Sequence, residues 1–316
     1  MNVLPFDQQI KIIGALTEGC SIWSTERLTT THRDSVMRLG VKIGVGCHRL
    51  HDALMRNLQV SIIELDEQWA FIGKKQKHVT DYDSPELGDC YLFTAIAATQ
   101  KAILSYAVGK RNGETTEEFV NDLRARILNR PQITADGFPA YVDAIDLAFA
   151  GNVDFGQLVK IYQATPGNEA AVRYSPGSIR SIVKTPVFGN PDPERISTSF
   201  MERFNLTTRM AVRRFTRLTN GFSKTLANHK AAVALHVGHY NFCHVHETIR
   251  TTPAIALGVT DHIWSIAELI ERATQALVPP PAPQPSLPRD LDTGLLAGRK
   301  PFRLWVIRGG KLSGPK

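Results

Sequence analysis

The sequence has few cysteines, and their spacing excludes two common kinds of cross-linked site. The four thiols stand far apart among 316 residues, at Cys20, Cys47, Cys90 and Cys243, and no two of them form a Cys-x-x-Cys pair. A disulfide framework or a zinc ribbon needs cysteines in closely spaced sets, so this spacing argues against both. We expect four free thiols in a reducing cytoplasm.

Long apolar runs are missing as well. No stretch of about 18 uncharged apolar residues occurs, so we expect no membrane span and no membrane partner. The opening MNVLPFDQQIKIIG has no basic segment followed by an apolar run and a small-residue cleavage site, which argues against a secretory signal. These absences lead us to expect an intracellular protein.

The composition is typical of a folded protein, and the net charge is positive. Apolar residues make up 43% of the chain and charged residues 21%, which predicts domains built around real cores. The net charge is +7 and the pI is near 9.3. Such a balance is common among proteins that bind nucleic acid, but it also occurs in proteins that do not, so it favours a DNA partner without settling the matter.

Residues 1–58 predict a small all-helical domain. Apolar residues recur at helical spacing over 6–17, a second helix fits 22–28, and Thr31 is a plausible N-cap for a third. Glycines at 40, 44 and 46 should loosen the chain before a further helix over 47–58. Three short helices with a tight turn before the third outline a helix-turn-helix DNA-binding module.

The third helix would present Arg33, Ser35 and Arg38 to base edges or phosphates. Many short three-helix units bind no DNA, so a purely structural role is the alternative.

From residue 59 the pattern predicts an α/β (α+β) domain. Strands are expected at 61–72, 91–97, 102–108, 132–135 and 154–162, and helices at 115–128, 139–150, 197–218 and 224–248. Three antiparallel strands continued by parallel strands with crossover helices form the RNase-H-like arrangement. We place this domain at 59–275, with a Gly-, Pro- and Ser-rich insertion at 163–195, extended around 182–188, and a Pro-rich linker and basic tail at 276–316.

Three carboxylates fall where this fold would bring them together. Asp66 lies in the first strand, Asp136 follows the fourth, and Glu202 lies in the first turns of the helix at 197–218. Glu67, a rival for Asp66, should point to the opposite face of its strand. Shared carboxylates can hold two Mg²⁺ ions for phosphoryl transfer, although a lone carboxylate is more often a surface charge or a cap.

Four strings resemble the transposases of the insertion sequence one family: IELDEQWAFIGKK, ITADGFPAY, MERFNLTTRMAVRRFTRLTNGFSK and HYNFCHVHETIRTTPA. The resemblance covers roughly residues 5–270. It implies a DDE catalytic domain in which Asp66, Asp136 and Glu202 hold two Mg²⁺ or Mn²⁺ ions. Relatives often begin with a cysteine-paired zinc-binding segment, which this sequence lacks, so end recognition would rest on the helix-turn-helix alone.

Basic residues cluster after the third acid and could hold DNA. Between residues 197 and 224 the sequence has one acid, Glu202, and six basic residues: Arg203, Arg209, Arg213, Arg214, Arg217 and Lys224. A helix through 218 would put Arg209 and Arg213 on the side of Glu202, where they could contact phosphates of the strand to be cut. A solvated helix face is the alternative.

These expectations combine into one hypothesis. The chain would be a bacterial, cytoplasmic and nucleoid-associated transposase that binds the terminal repeats of its element, cleaves the ends with metal ions and joins them to target DNA. Two ends must be handled together, so we expect a homodimer or a larger homo-oligomer. The alternatives are a catalytically inactive or domesticated helix-turn-helix DNA-binding protein, such as a repressor, and a nuclease of the same fold.

Overall fold

The chain forms three helices, then a mixed sheet with helices on it, then a helical C-terminal part. The computed structural model describes residues 3–162, 179–216 and 219–278. The elements are α1 (Phe6–Thr17), α2 (Ile22–Thr29), α3 (Arg33–Leu54), β1 (Ile62–Ile72), β2 (Gly88–Ala97), β3 (Ala102–Gly109), α4 (Gly113–Arg126), β4 (Gln132–Ala135), α5 (Ala140–Phe149), β5 (Asp154–Tyr162), β6 (Ile179–Phe188), α6 (Ser199–Ala211), α7 (Leu226–Phe242), α8 (Pro253–Ala256) and α9 (Ile266–Ala276). Most of the predicted insertion (163–178), Arg217 and the tail beyond 278 lie outside the described residues.

The strands described form one sheet in the order β3-β2-β1-β4-β5-β6. Strands β1, β2 and β3 are antiparallel neighbours, whereas β1, β4 and β5 are parallel and are joined through α4 and α5. This is the RNase-H-like topology that the sequence predicts. The extended stretch expected in the insertion is β6, which pairs antiparallel with β5 at the edge of the sheet.

Strand β1 is much longer than its parallel neighbour β4, and this difference creates an open edge inside the sheet. The ladder between them joins Ile62–Glu64 to residues 132–134 and goes no further. After Ala135 the chain turns away, and the turn is stabilised by a hydrogen bond from the Phe138 amide to the Asp136 carboxylate (2.9 Å). The middle of β1 therefore continues past the end of β4.

The prediction that glycines break the third helix is wrong, because α3 runs unbroken for 22 residues. A Cβ on Gly44 would collide with the backbone of Ala231 on α7, and one on Gly46 would collide with the backbone of Ala273 on α9. These glycines therefore let α3 approach two other helices closely. They serve packing, and the helix tolerates their low intrinsic propensity because of it.

The N-terminal helices and the sheet share one hydrophobic core. Ile13 of α1 and Ile43 of α3 belong to the same buried cluster as Leu65 of β1 and Ile133 of β4. The described residues all fall within one compact unit that ends at Val278. The boundary placed near residue 58 thus marks a proposed division of roles within a continuous core.

A second buried cluster fixes α6 and α7 on the other face of the sheet. It joins Met201 and Phe204 of α6 and Val237 of α7 to Ala70 and Leu92 of the strands. Because α6 carries one of the predicted acids, this cluster sets the position of that acid. None of the described helices has the length and apolar character needed to cross a bilayer.

Candidate metal centre

Three carboxylates converge at the point where β1 extends beyond the end of β4. Oxygen atoms of Asp66, Glu67 and Asp136 all lie within 4.8 Å of one another. In the described part of the chain this is the one group of three or more His, Cys, Asp or Glu residues that meets such a criterion. Two of the predicted acids, Asp66 and Asp136, are thus brought together, and Glu67 joins them.

Glu67 does occupy the opposite face from Asp66, as strand alternation predicts. Its carboxylate contacts Arg111 on the side of α4 and α5, whereas that of Asp66 contacts α6. Both can approach Asp136 because β4 has ended at Ala135, so no strand backbone separates the two faces at this point. The sequence pattern predicted which face of β1 carries Glu67, but it did not predict that Glu67 belongs to the carboxylate cluster.

The cluster is acidic and mutually repulsive. Burial, followed by the charge of Asp136, raises the pKa of Asp66 to about 6. Burial also raises the pKa of Glu67 to about 7, and the charge of Asp136 adds to the effect. Such shifts mark sites where extra positive charge would be favourable.

One arginine offsets part of this charge. The Nε of Arg111 lies 3.1 Å from Oε2 of Glu67, and its Nη2 lies 3.7 Å from Oδ2 of Asp136. The guanidinium is held against the ring of Phe138, 3.8 Å from its centroid. Three acids facing Arg111, with the charge of Arg209 acting on Asp66 as well, leave an excess of negative charge at the edge of β1. No motif in the sequence indicates Arg111.

The donor set fits a hard divalent cation. All three side chains offer carboxylate oxygens, which Mg²⁺ and Mn²⁺ prefer. The Glu67 carboxyl is buried, and the hydroxyl of Tyr141 beside it lowers its pKa as a hydrogen-bond donor. Coordination of a cation would offset the cost of burying this carboxylate among other acids.

A ladder of buried polar contacts sets the register of α6 on β1. Glu64 accepts a hydrogen bond from the Met201 amide (2.9 Å), and Asp66 accepts one from the Asn205 side chain (2.6 Å). Two strand residues span about 6.6 Å and four helical residues about 6.0 Å, so the two contacts match in spacing. Gln68 continues the ladder by donating to the Asn205 carbonyl (3.2 Å).

Glu64 is the most deeply buried polar side chain of this ladder, with 1% of its surface exposed. Burial raises its pKa to about 7 against the opposing effect of the helix amides, that of Met201 first. Its carboxylate therefore anchors the first turn of the helix that carries Glu202. No sequence pattern indicated Glu64, whereas Asn205 could have been found from its place three residues after Glu202, on the same side of a helix.

Glu202 lies on the same side of the sheet as Asp66 but outside the cluster. Its carboxylate forms an ion pair with Lys160 of β5 and accepts a hydrogen bond from the Thr198 hydroxyl (3.1 Å). The side chain is 52% exposed. It stands about one helical turn from Asn205, the residue that contacts Asp66. Lys160 carries no signal in the sequence beyond its position on a predicted strand.

The prediction of one helix through residue 218 is wrong, because α6 ends at Ala211 and a 3-10 turn follows at Arg213–Phe215. Val212 and Phe215 are buried in the second cluster, so the chain leaves the helix axis to reach it. The Thr216 hydroxyl then satisfies the Arg209 carbonyl (3.0 Å). Arg213 is therefore not aligned with Arg209 along one helix.

The predicted DNA-binding residues differ in exposure. Arg209 is partly buried, and its charge is among the effects that lower the pKa of Asp66. Ser35 is half-buried and accepts a hydrogen bond from Arg38 (3.2 Å), and Arg214 is also half-buried. The others that the structure describes are exposed: Arg33, Arg38, Arg203, Arg213 and Lys224.

Comparison with solved structures gives partial likenesses, among them likenesses to two transposases. One is to the Mos1 transposase in a paired-end complex with the left transposon end, at 14% identity and a TM-score of 0.21, over 49% of this chain. The present chain covers 60% of the Mos1 chain. The other is to the piggyBac transposase in a synaptic complex with hairpin DNA, at 8% identity and a TM-score of 0.33, over 85% of this chain and 69% of that one. No family model and no curated protein matches the sequence.

Proposed function

We propose that the protein is a DNA transposase of the DDE type that uses two Mg²⁺ or Mn²⁺ ions for strand cleavage and transfer. The observation that supports this most is the convergence of Asp66, Glu67 and Asp136 at the open edge beside β1. Carboxylates gathered on an RNase-H-like sheet suit metal-dependent phosphoryl transfer. The resemblance to the insertion sequence one family supports the assignment to transposition.

Asp66 and Asp136 would hold the cations, and Glu202 would join them after its side chain turns from Lys160. Bound ions of this kind activate the attacking water or 3′-hydroxyl and stabilise the leaving oxygen. Glu67 is a further carboxylate within reach, so the metal-binding set extends beyond the three acids of the sequence prediction. Asn205 orients Asp66 through its direct hydrogen bond.

DNA would lie along the basic side chains near this edge. Arg203 and Arg209 on α6, with Arg213, Arg214 and Lys224 after it, would contact phosphates of the cleaved strand. The helices of residues 1–58 would recognise the terminal repeats through Arg33, Ser35 and Arg38 as a helix-turn-helix. Handling two ends calls for a homodimer or larger assembly, working in the bacterial cytoplasm at the nucleoid.

A strand-transfer assay on a supercoiled plasmid with Mg²⁺ tests the proposal. We expect no cleavage and no joining by Asp66→Ala or Glu202→Gln, and normal activity in Asp146→Ala, which changes an exposed acid of α5. An active Asp66→Ala variant would refute the catalytic role. Cutting without joining by the parent would identify a nuclease, and end binding without any cutting would identify a DNA-binding protein.

A second comparison separates Glu202 from Glu67 as the third ligand. Glu202→Gln and Glu67→Gln are each titrated with Mn²⁺ while metal binding and strand transfer are followed. If Glu202 is the third ligand, its variant loses strand transfer, whereas the Glu67 variant keeps part of it with weaker metal binding. Full activity of Glu202→Gln with complete loss in Glu67→Gln would transfer the role to Glu67.

A further inference from the structure

A cleft of about 680 Å³ lies between the N-terminal helices and the segment that follows α6. One wall comes from α2 and α3 and includes Trp23 and Arg33; the other includes Arg213, Arg214 and Lys224. The two basic surfaces that the sequence suggested separately thus meet in one place.

The described residues do not balance the charge in this cleft. Asp34 is the one acidic residue in the lining, and it lies 3.8 Å from Nε of Arg33. Among the described residues no carboxylate forms an ion pair with the three cations of the opposite wall, Arg213, Arg214 and Lys224. Three positive side chains on one wall of a concave site favour an anionic ligand.

Arg214 is the most informative of these cations. Its side chain is half-buried and donates a hydrogen bond to the Ser223 hydroxyl (2.9 Å), and burial lowers its pKa. A partly buried guanidinium without a carboxylate is costly to keep. A phosphate offers the paired oxygens that a guanidinium fork binds best.

Trp23 adds a flat apolar surface to the same cleft. The side chain is 56% exposed, which is unusual for the largest apolar residue. The guanidinium of Arg33 lies against its ring, 4.8 Å from the centroid, and holds the ring in place. An exposed, fixed indole beside unpaired cations has the features of a platform on which a nucleic-acid base stacks.

We propose that this cleft binds one nucleotide of an unpaired DNA strand, with its phosphate at Arg213, Arg214 and Lys224 and its base against Trp23. The inference rests on the proposed function, which makes DNA the substrate. The cleft volume falls in the range of about 300–1,000 Å³ that is typical of small-ligand sites.

The full-length protein in EDTA is titrated with three probes: 5′-phosphorylated pentathymidylate, an abasic pentamer of the same charge, and inorganic phosphate. We expect Arg214→Gln to weaken pentathymidylate and the abasic pentamer alike, by about tenfold. Trp23→Ala should weaken pentathymidylate by about tenfold and leave the abasic pentamer unchanged. Arg272→Gln, which removes an exposed arginine stacked on Trp264 of the C-terminal part, is the matched control and should bind all probes as the parent does.

Unchanged pentathymidylate affinity in both cleft variants would overturn the proposal, as would equal weakening of both pentamers by Trp23→Ala. Phosphate binding as tight as that of the pentamers would overturn the claim for a nucleotide. Melting curves establish that each variant is folded, and Trp23→Phe, which keeps a stacking ring, should restore most of the affinity. Asp66→Asn should lose strand transfer while keeping pentathymidylate affinity, so the metal centre and the cleft can fail separately.

Discussion

Replacing Asp66 with asparagine should stabilise the metal-free protein while abolishing its activity. Asp66 is held in a partly buried site beside Asp136, and its pKa rises from 3.8 to about 6. One pKa unit corresponds to about 1.4 kcal/mol, so ionised Asp66 costs on the order of 3 kcal/mol at pH 8. Asparagine removes the charge and keeps an oxygen that can accept the hydrogen bond from Asn205.

Part of this gain is lost because the amide is itself a partly buried polar group. We therefore expect the free energy of unfolding to rise by about 2 kcal/mol, and Tm by roughly 4–8 °C, at pH 8 in EDTA. Thermal or urea denaturation followed by circular dichroism measures this difference. Asp146→Asn, an exposed position on α5, is the control and should change stability by less than about 0.5 kcal/mol.

The pH dependence provides a sharper check on the cause. The folded-state pKa of Asp66 is raised, so the parent binds its proton more tightly when folded than when unfolded. The free-energy cost of ionising Asp66 in the folded protein is absent below about pH 4, and it grows as the pH rises through about 6. The advantage of Asp66→Asn should therefore shrink as the pH falls from 8 to 5. A variant no more stable than the parent at pH 8, or an advantage that grows on acidification, would refute the reasoning.

The remaining predictions concern packing, register and the Lys160 ion pair. Gly44→Ala should lower the free energy of unfolding by roughly 2 kcal/mol or more in urea denaturation, because its methyl group would collide with the backbone of α7. Glu64→Gln should retain strand transfer, since an amide oxygen can still accept from the helix, whereas Glu64→Ala should reduce it about tenfold by leaving a buried amide unpaired. Lys160→Gln should tighten Mn²⁺ binding up to about fivefold in calorimetry by freeing Glu202, whose ion pair is partly exposed and therefore weak.

The sheet could be predicted from the sequence because its strands follow local rules. The alternation of apolar and polar residues places β5 at Asp154–Tyr162, where the structure has it, and Asp136 directly after β4. Features that depend on distant partners could not be predicted in this way. The glycines of α3 signal flexibility by their local propensity, but Gly44 meets a residue of α7 that lies far along the chain. The end of α6 likewise depends on the burial of Phe215 in a cluster that no local pattern reveals.

The composition of the metal centre follows from unequal strand lengths. In a ladder of equal strands, consecutive residues such as Asp66 and Glu67 would be separated by the backbone of the neighbouring strand. Here β4 ends at Ala135, so beyond that point no neighbouring strand separates the two faces of β1 on this side. Asp66 and Glu67 can therefore both approach Asp136. A variant that extended the pairing of β4 past residue 136 would separate Glu67 from Asp66 without changing either side chain. Which acids meet at this site therefore depends on where β4 ends as well as on the residues that β1 contains.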